Sequence, residues 1–440
     1  MFGGTRVKRF GLIGHPLGHS MSPLIHTRIM EMAGIDGTYA LFDIEPARLH
    51  AEAPRLMREL DGFNCTIPHK EKIAEMLAVD FPVNTVFRGK GHNTDTVGFR
   101  TCGIDFSGRD VLILGAGGTA RMMAREVSRA GAKTLTVCAR RKIENVDRVD
   151  NVDISMLSTL STFSKTVLLN ATPLGMWPCA WEMPCVEALL RPGVEVFDAV
   201  YNPTPTRLVL NARKHGATAS GGLRMLVRQA IESQKIWNPE KTFDTDAIES
   251  AILPEVSREL LRHSPMHILL TGFMGAGKSS LARELATRLG VACVDVDAEI
   301  EAQTGRAISD LFERDGEAAF RAIERDIARQ TLTRNRSSVV AAGGGLTLSK
   351  ENQTMIRQTN TLALHLEAPF ETLWQRVRLA TNRPLLLKGR GHAECLFRRR
   401  RESYRFFSDL ILDATQPLQQ LAANTLARLT HTGDPHDPRP

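Results

Sequence analysis

A glycine-rich segment that ends in Lys-Ser carries the strongest chemical signal in this sequence. Residues Gly272 to Ser279 read G-x-x-x-x-G-K-S, between a strand-like apolar segment (267–271) and a segment with helical periodicity. In such a loop the backbone amides point at phosphate oxygens, the lysine reaches the β- and γ-phosphates, and the hydroxyl holds Mg²⁺. The pattern therefore predicts a nucleoside triphosphate site formed by Gly275, Ala276, Gly277, Lys278 and Ser279.

Two aspartates follow at the end of the next predicted strand, Asp295-Val296-Asp297. Because side chains alternate along a strand, we expect both carboxylates on one face near the glycine-rich loop. One could hold Mg²⁺ and the other a substrate hydroxyl. Alternatively, both acids are solvated at an edge or cap a helix that begins near Ala298.

Further motifs extend this second half of the chain. They are Asp295 to Glu301, Gly316-Glu317 followed by Phe320-Arg321 and Glu324, Gly343-Gly344-Gly345, Asn382-Arg383-Pro384-Leu385-Leu386, and Arg400 with Tyr404. With these motifs in this order, the chain resembles shikimate kinase over about 264–430.

The resemblance implies a role for each matched residue. Shikimate would be held by Asp297, Arg321, Gly343, Gly344, Gly345 and Arg400; ATP by the glycine-rich loop through Ser280, with Arg383 in a closing lid; and Mg²⁺ by Ser279 and Asp295. Two arginines can grip a carboxylate, while Asp297 orients the attacking hydroxyl and accepts its proton. With Lys278 on the phosphates, the phosphoryl group would go to the 3-hydroxyl. Arg400 lies in the run Arg398 to Arg401. The shikimate ligand could therefore be a neighbouring arginine, or the run could simply be a solvated basic helix face.

A second glycine-rich turn lies in the first half of the chain. The apolar segment 111–114 leads into G-x-G-x-x-A, which spans Gly115, Ala116, Gly117, Gly118, Thr119 and Ala120. This variant favours dinucleotide binding in a Rossmann-type unit. Arg140 and Arg141 end the next strand, where an NAD-binding protein usually has an acid, so the pair predicts NADP through its 2′-phosphate. The alternative is that both arginines are solvated in a loop.

Upstream of that turn lie short polar motifs with hydroxyl and amine side chains. Ser20 and Ser22 can donate to a carboxylate, and Thr66 and Lys70 offer a hydroxyl and an amine. Together with Val83-Asn84-Thr85, Asn93-Thr94-Asp95, Asn170 to Met176, Asp198 to Pro203 and Gly221-Gly222-Leu223, they resemble shikimate dehydrogenase over about 7–237.

This second resemblance implies reduction of 3-dehydroshikimate by NADPH. Lys70 and Asp95 would be the catalytic pair, Met225 would flank the nicotinamide, and the substrate would lie among Ser20, Ser22, Thr66, Asn84, Tyr201 and Gln229. A lysine beside a carboxylate can protonate the developing alkoxide and stabilise its charge. Without the motif context, Lys70 and Asp95 read equally well as an ordinary surface ion pair.

Three departures from the dehydrogenase pattern concern its pocket. Only 13 residues separate Lys70 from Asn84, fewer than in the family, so we expect the pocket wall between these two residues to differ from the family's. Thr96 replaces the usual glycine after the aspartate, which predicts that Asp95 is aimed differently. Arg224 stands near the nicotinamide, where a small residue is common. One alternative is therefore an active kinase fused to a non-catalytic, dehydrogenase-like docking module.

Alternation of strands and helices predicts an α/β protein with mostly parallel sheets. We expect a substrate domain at 1–98 completed by about 222–237, a Rossmann-type NADP domain at 99–221, and a linker with a helix (about 245–262) at 238–264. A P-loop domain resembling nucleoside monophosphate kinases follows at 265–430, and 431–440 is an unstructured tail. The two halves would make a bifunctional enzyme whose first product is the second substrate.

Charge and composition favour some classes of binding partner over others. The net charge of +7 and pI near 9.1 suit anionic small substrates: 3-dehydroshikimate, shikimate, NADPH and ATP. Nucleic acid is disfavoured because basic residues are spread along the chain and aromatic residues are only 6%. No apolar run approaches the roughly 18 residues of a bilayer span. The seven cysteines form no C-x-x-C pair, so we expect reduced thiols and a cytoplasmic location.

Overall fold

The computed structural model describes residues 6–18, 20–140, 142, 150–153, 166–185, 187–378 and 389–430. Two of the predicted ligand residues, Arg141 and Arg383, lie outside the described residues, as does the predicted tail at 431–440. Within the described part, three sheets with flanking helices follow one another along the chain, which confirms the α/β class.

The first sheet occupies residues 8–92 and has the strand order β2-β1-β3-β4-β5. Its elements are β1 (Lys8–Gly14), α1 (Ser22–Met32), β2 (Gly37–Asp43), α2 (Leu49–Glu59), β3 (Gly62–Cys65), α3 (Lys70–Met76), β4 (Thr85–Phe87), β5 (Lys90–His92) and α4 (Asp95–Arg100). Strands β1 to β3 are parallel, whereas β4 and β5 run antiparallel to their neighbours. The carboxyl ends of the parallel strands therefore share one edge with the turns that lead into α3 and α4.

The second sheet is parallel and has the order β11-β10-β9-β6-β7-β8. It contains β6 (Asp110–Leu114), α5 (Gly118–Arg129), β7 (Thr134–Cys138), β8 (Asp150–Val152), β9 (Thr166–Asn170), β10 (Glu195–Asp198), α6 (Arg207–Lys214) and β11 (Thr218–Gly221). The strand order reverses direction at β6, so the β6–α5 turn lies at a topological switch point, where ligands of such sheets bind.

Two helices return from the second sheet to the first. Helix α7 (Leu223–Trp237) packs with α1 and α4, and α8 (Thr245–His263) packs with α1 and α7. The apolar contact of α8 is made by Ile248, Ile252, Val256 and Leu260, which follow helical spacing and are almost fully buried. Leu261 of the same helix joins the core of the third sheet. Helix α8 thus contacts both halves of the chain.

The third sheet is parallel, with the order β13-β14-β12-β15-β16. Its elements are β12 (His267–Thr271), α9 (Lys278–Leu289), β13 (Ala292–Asp295), α10 (Val296–Thr304), α11 (Ile308–Arg314), α12 (Gly316–Leu332), β14 (Ser338–Ala341), α13 (Lys350–Arg357), β15 (Thr361–Glu367), α14 (Phe370–Val377), α15 (Arg390–Phe407), β16 (Leu410–Asp413) and α16 (Leu418–Thr430). The apolar strand β12 is at its centre and leads directly into the glycine-rich loop.

The sequence pattern located the long buried strands but not the short or peripheral ones. The pattern of apolar residues predicts strands near 9–14, 111–115, 134–139, 166–170, 194–199, 267–271, 338–342 and 361–366, and all of them form within about one residue of those bounds. Strands β2, β4, β5, β8, β11 and β16 were not predicted. Most of these have three or four residues, too few to show a period of two.

Candidate active sites

Lys70 and Asp95 form an ion pair in the first half of the chain. Lys70 begins α3 and Asp95 begins α4, and the Lys70 Nζ atom lies 2.5 Å from Asp95 Oδ2. Their side chains are only 24% and 18% exposed. Burial raises the pKa of the neighbouring Cys65 thiol to about 12, so that thiol stays neutral. A partly buried ammonium held by a carboxylate can protonate an oxyanion bound beside it.

A buried hydrogen-bond network adjoins this pair. Asn84 Nδ2 donates to Thr94 Oγ1 at 3.0 Å and to Gln229 Oε1 at 3.4 Å, and the Thr94 amide donates to Asn84 Oδ1 at 2.7 Å. Because Thr94 immediately precedes Asp95, these bonds fix the backbone from which Asp95 projects. The structure thus brings the predicted Asn84 and Gln229 together next to the Lys70–Asp95 ion pair.

Asn64 belongs to the same network, although the sequence pattern predicts no role for it. Its Nδ2 atom donates to Ser233 Oγ at 2.9 Å, and its Oδ1 accepts from the Tyr39 hydroxyl at 2.8 Å. Burial raises the pKa of Tyr39 well above its ordinary value, while a hydrogen bond with Ser22 opposes that shift. The position of Asn64 at the end of β3, two residues before Thr66, was the available signal.

Ser20, Ser22 and Thr66, which the sequence predicts as substrate residues, follow β1 and β3 at the carboxyl edge of the first sheet. The Ser22 amide donates to Ser20 Oγ at 3.3 Å where α1 begins. The Thr66 amide donates to the Ile13 carbonyl at 2.9 Å, which places Thr66 beyond the ends of β1 and β3. Tyr201 is partly buried against the apolar cluster shared by α1, α7 and α8, and desolvation raises its pKa.

The predicted dinucleotide turn joins β6 to α5. Gly115 has a φ of 108°, and a Cβ atom there would lie 3.0 Å from the Ala171 carbonyl oxygen, so glycine is required. Gly117 precedes α5 without a side-chain cap, and Cβ atoms on Gly117 and Gly118 would meet nothing within 4 Å. Ala116, Thr119 and Ala120 complete the turn and the first turn of α5. The uncapped amides and open space suit a phosphate.

Arg140 and Met225 are the predicted NADP residues outside this turn that the structure describes. Arg140 is exposed, two residues after the end of β7. Met225 is 8% exposed in the first turn of α7 and packs in the core cluster that contains Phe99 and Ile113. Met225 thus shares a core with β6, the strand that leads into the dinucleotide turn.

The phosphate-loop prediction has the expected backbone in the second half. Gly275 and Gly277 have φ angles of 82° and 89°. Lys278 begins α9, and its Nζ atom donates to the carbonyls of Gly272 and Phe273 at 3.0 and 3.2 Å. Ala276 is buried in the core, and Ser279 and Ser280 lie in the first turn of α9. Gly277 provides no side-chain cap, so the first amides of α9 face the loop.

The expectation that Asp295 and Asp297 share a strand face is wrong. Strand β13 ends at Asp295, and Asp297 lies in the first turn of α10. Asp295 Oδ1 accepts hydrogen bonds from the amides of Asp297 and Ala298 at 3.1 and 3.4 Å. The capping alternative is therefore correct for Asp295, since its β-region backbone suits an N-cap. Asp297 instead reaches the glycine loop described next.

Gly343, Gly344 and Gly345 form a loop that the predicted shikimate residues surround. A Cβ atom on Gly343 would lie 3.0 Å from Asp297 Oδ1, and one on Gly345 would collide with the Arg321 guanidinium. Arg400 Nη1 donates to the Gly344 carbonyl at 3.3 Å. Arg398 and Arg401 instead pair with Glu394 and Glu367. Of the arginines in that run, Arg400 is thus the one whose described contact lies in this loop.

Glu324 and Tyr404 complete the loop's surroundings, although neither was predicted as a site residue. Glu324 is fully buried and accepts from Arg321 Nη1 at 2.6 Å. Burial raises its pKa, and Arg321 opposes that shift. The Tyr404 hydroxyl donates to the Gly344 carbonyl at 2.5 Å. Glu324 lies one helical turn after Arg321, and Tyr404 one turn after Arg400, so helical spacing was the available signal.

The departures from the dehydrogenase pattern do not prevent contact between Lys70 and Asp95. Thr96 lies in the first turn of α4, where no positive φ is required, and the Lys70–Asp95 contact forms. Arg224 is paired with the buried Glu249 of α8 at 2.6 Å. The short segment after α3 is tied back by the Val83 amide, which donates to the Lys70 carbonyl at 3.1 Å.

No helix in the described ranges is both long and apolar enough to cross a membrane. In the same part of the chain, no group of three or more histidine, cysteine, aspartate or glutamate side chains is arranged to hold a metal ion.

Comparison with known families assigns both halves. The shikimate kinase family model matches residues 274–430, and the model of the shikimate dehydrogenase substrate binding domain matches residues 12–81. An NADP(+) shikimate dehydrogenase of Caldanaerobacter subterraneus is 33% identical over 280 residues, which cover 57% of this chain and 99% of the relative. A second, from Rubrobacter xylanophilus, is 38% identical over 255 residues, with 52% and 89% covered.

Solved structures agree for the first half. Shikimate dehydrogenase 1 of Peptoclostridium difficile has 31% identity and a TM-score of 0.51, and the match covers 58% of this chain and 100% of that chain. A chorismate mutase/shikimate 5-dehydrogenase fusion protein from Clostridium acetobutylicum has 30% identity and a TM-score of 0.51, with 58% and 99% covered. The chain thus belongs to the shikimate dehydrogenase family, carries a shikimate kinase domain at its other end, and is a bifunctional enzyme of the shikimate pathway.

Proposed function

We propose that the chain reduces 3-dehydroshikimate to shikimate with NADPH and then phosphorylates shikimate at its 3-hydroxyl with ATP. The observation that carries the proposal is that two separate sites are assembled in one chain. Lys70 contacts Asp95 beside a buried polar network, and Arg321, Arg400 and Asp297 surround the Gly343–Gly345 loop.

The residues present fit the cofactors that these reactions use. The uncapped start of α5 and the open space over Gly117 and Gly118 fit a pyrophosphate, and the exposed Arg140 suits a 2′-phosphate. The Lys278 loop fits the phosphates of ATP, and the oxygens of Ser279 and Asp295 are ligands that Mg²⁺ accepts. When bound, NADPH supplies hydride, ATP supplies the phosphoryl group, and Mg²⁺ neutralises charge on the phosphates.

In the reductase site, we assign proton delivery to Lys70. Its ammonium lies against Asp95, so it is held in one place and can donate to the oxygen of the ketone as that oxygen gains charge. Ser20 and Ser22 would donate to the substrate carboxylate. Thr66, Asn84, Tyr201 and Gln229 would orient its hydroxyl groups, with Met225 against the nicotinamide.

In the kinase site, we assign carboxylate binding to Arg321 and Arg400. Bidentate hydrogen bonds from guanidinium groups would fix the orientation of shikimate, and the close Gly343–Gly345 backbone would let its ring approach. Asp297 would orient the 3-hydroxyl and accept its proton, and Lys278 would stabilise the charge on the transferred group. Arg383 remains a proposed part of the lid.

A two-substrate assay with two matched variants tests this function. The purified chain is given 3-dehydroshikimate, NADPH, ATP and Mg²⁺, with an ATP-free control and a parallel reaction fed shikimate. We expect NADPH loss and shikimate 3-phosphate by mass. Lys70→Ala should abolish NADPH oxidation and leave phosphorylation of added shikimate intact, and Lys278→Ala should do the reverse.

Each failure has a distinct meaning. Phosphorylation of added shikimate without any NADPH loss would show that the first half is a non-catalytic module. If Lys70→Ala oxidises NADPH at the wild-type rate, the assignment of Lys70 is wrong even though the reaction is present.

A further inference from the structure

Helix α6 of the dehydrogenase half lies against the kinase half. Arg207 begins this helix and is 6% exposed. Its guanidinium donates to the Thr361 carbonyl at 2.9 Å, where β15 begins, and lies 3.8 Å from the buried Asp409 carboxylate. Leu210, one turn along α6, joins the apolar core cluster of the kinase half. The contact is therefore both apolar and charged, and it includes a buried cation.

The other end of α6 contacts the end of α15. Lys214 Nζ donates to the carbonyls of Phe406 and Ser408 at 2.7 and 2.8 Å. Both carbonyls lie at the carboxyl end of α15, where Ser408 is the C-cap. Carbonyls in the last turn of a helix accept no hydrogen bond from within that helix. A cation at a helix carboxyl terminus satisfies such groups and interacts favourably with the helix dipole.

Direct hydrogen bonds lead from that contact to the kinase site. The amide and hydroxyl of Ser408 both donate to the Tyr404 carbonyl, at 3.1 and 2.8 Å. The Tyr404 hydroxyl donates to the Gly344 carbonyl, which Arg400 also contacts. Lys214 is therefore three contacts away from the glycine loop, through Ser408 and Tyr404.

We propose that α6 of the dehydrogenase half positions the kinase's shikimate site, with Lys214 as a positioning residue that holds the end of α15. This inference rests on the proposed function, because it takes the loop at Gly344 and Arg400 as the place where shikimate binds. In this protein the first half would thus have two roles: its own reaction, and support for the substrate site of the second.

Substitution of Lys214 in the full chain tests the inference. Lys214→Ala should raise the KM for shikimate in the kinase assay about threefold or more, because contacts along such a chain modulate binding by that order. The KM for ATP and the reductase kcat/KM should stay at wild-type values. Lys214→Arg should restore the KM for shikimate, since its guanidinium can donate to the same carbonyls. Lys133→Ala, which removes an exposed lysine of the same half, is the matched control.

Hydrogen exchange gives a readout that does not depend on activity. In Lys214→Ala, the amides of residues 400–409 should exchange faster than in wild type, Lys214→Arg and Lys133→Ala. An unchanged KM for shikimate together with unchanged exchange would overturn the inference. An equal rise in both kinase KM values with a matching loss of reductase activity would also overturn it, as a general loss of stability. Failure of the wild-type chain to phosphorylate shikimate would instead reject the proposed function.

Discussion

Lys70 and Asp95 touch each other at the first residues of two different helices, α3 and α4, and their side-chain atoms are 2.5 Å apart. Twenty-four residues and two short strands separate them in the chain, so the contact is made by the sheet and not by local sequence. Asp95 is further fixed by the Thr94 amide, which donates to the buried Asn84. The fold thus holds the pair together, which the proposed proton transfer from Lys70 would require.

Asp95→Asn tests whether the charge of Asp95 matters in that pair. Asparagine keeps an acceptor for Lys70, so the fold should be retained. We expect the reductase kcat to fall about a hundredfold or more, the range associated with a general acid–base partner. Phosphorylation of added shikimate should be unaffected. A reductase rate within twofold of wild type would show that the charge of Asp95 has no role in the reaction and that Asp95 is only a hydrogen-bond partner of Lys70.

Glu324→Gln tests the buried partner of Arg321. The substitution leaves Arg321 beside a neutral side chain, so we expect its guanidinium to lose orientation and the KM for shikimate to rise about tenfold. The matched control is Glu317→Gln, because Glu317 contacts the same arginine at 3.2 Å but is 66% exposed. Such exposed pairs contribute little. Equal effects of the two variants in the kinase assay would contradict a special role for Glu324.

Thr96→Gly restores the residue that the dehydrogenase pattern usually has. Because Thr96 lies in the first turn of α4, glycine should add backbone entropy to the unfolded chain and lower the free energy of unfolding by up to about 1 kcal/mol. Chemical denaturation measures this loss. Thr96→Ala is the control, because alanine removes the hydroxyl and methyl groups of threonine but keeps Cβ. A clear rise in reductase kcat on Thr96→Gly would show that threonine does misdirect Asp95.

Glu249→Ala removes the acid that α8 places between two arginines of α7. Glu249 is 6% exposed and pairs with both Arg224 and Arg228. Removing one partner of a buried ion pair leaves uncompensated charge, so we expect the free energy of unfolding to fall by about 3 kcal/mol. Asp246→Ala is the control, since Asp246 contacts Arg228 but is 89% exposed. Similar losses from both variants would argue that the pairs with Glu249 are no more than surface contacts.

Three buried histidines predict a loss of stability in mild acid. Burial lowers the pKa from 6.5 to about 4 for His267 and His365 and to about 3 for His26. Below pH 6.5 the unfolded chain therefore binds protons that the folded chain excludes, so stability is lost as the pH falls from 6.5 toward 4. Asp198 acts in the opposite sense, because burial raises its pKa to about 6.

The net effect should be a fall in the free energy of unfolding, to which each buried histidine contributes about 2 kcal/mol by pH 5. Denaturant unfolding at several pH values measures the slope. His267→Asn should flatten it, since asparagine does not titrate and can still bond to Ser338, whose hydroxyl lies 2.8 Å from His267 Nδ1. A slope that is the same with and without His267 would contradict this account.

The sequence by itself determined the chemistry that is local. Gly272 to Ser279 form a phosphate loop, which requires positive φ at glycines and a lysine at the start of a helix. Consecutive residues meet both requirements, so the sequence alone identifies the loop. Gly115 to Ala120 follow the same logic. The sequence also predicts the long buried strands, because a strand that is covered on both faces forms a continuous apolar run.

Only the tertiary structure decided the relationships between distant residues. Asp295 and Asp297 look equivalent in sequence, yet the helix begins between them, so one caps it and the other reaches Gly343. The network that joins Asn64 to Ser233, the pairing of Arg224 with Glu249, and the contact of Lys214 with Ser408 connect residues far apart in the chain. Pattern reasoning extends over a few helical turns, whereas such contacts depend on how whole layers pack against one another.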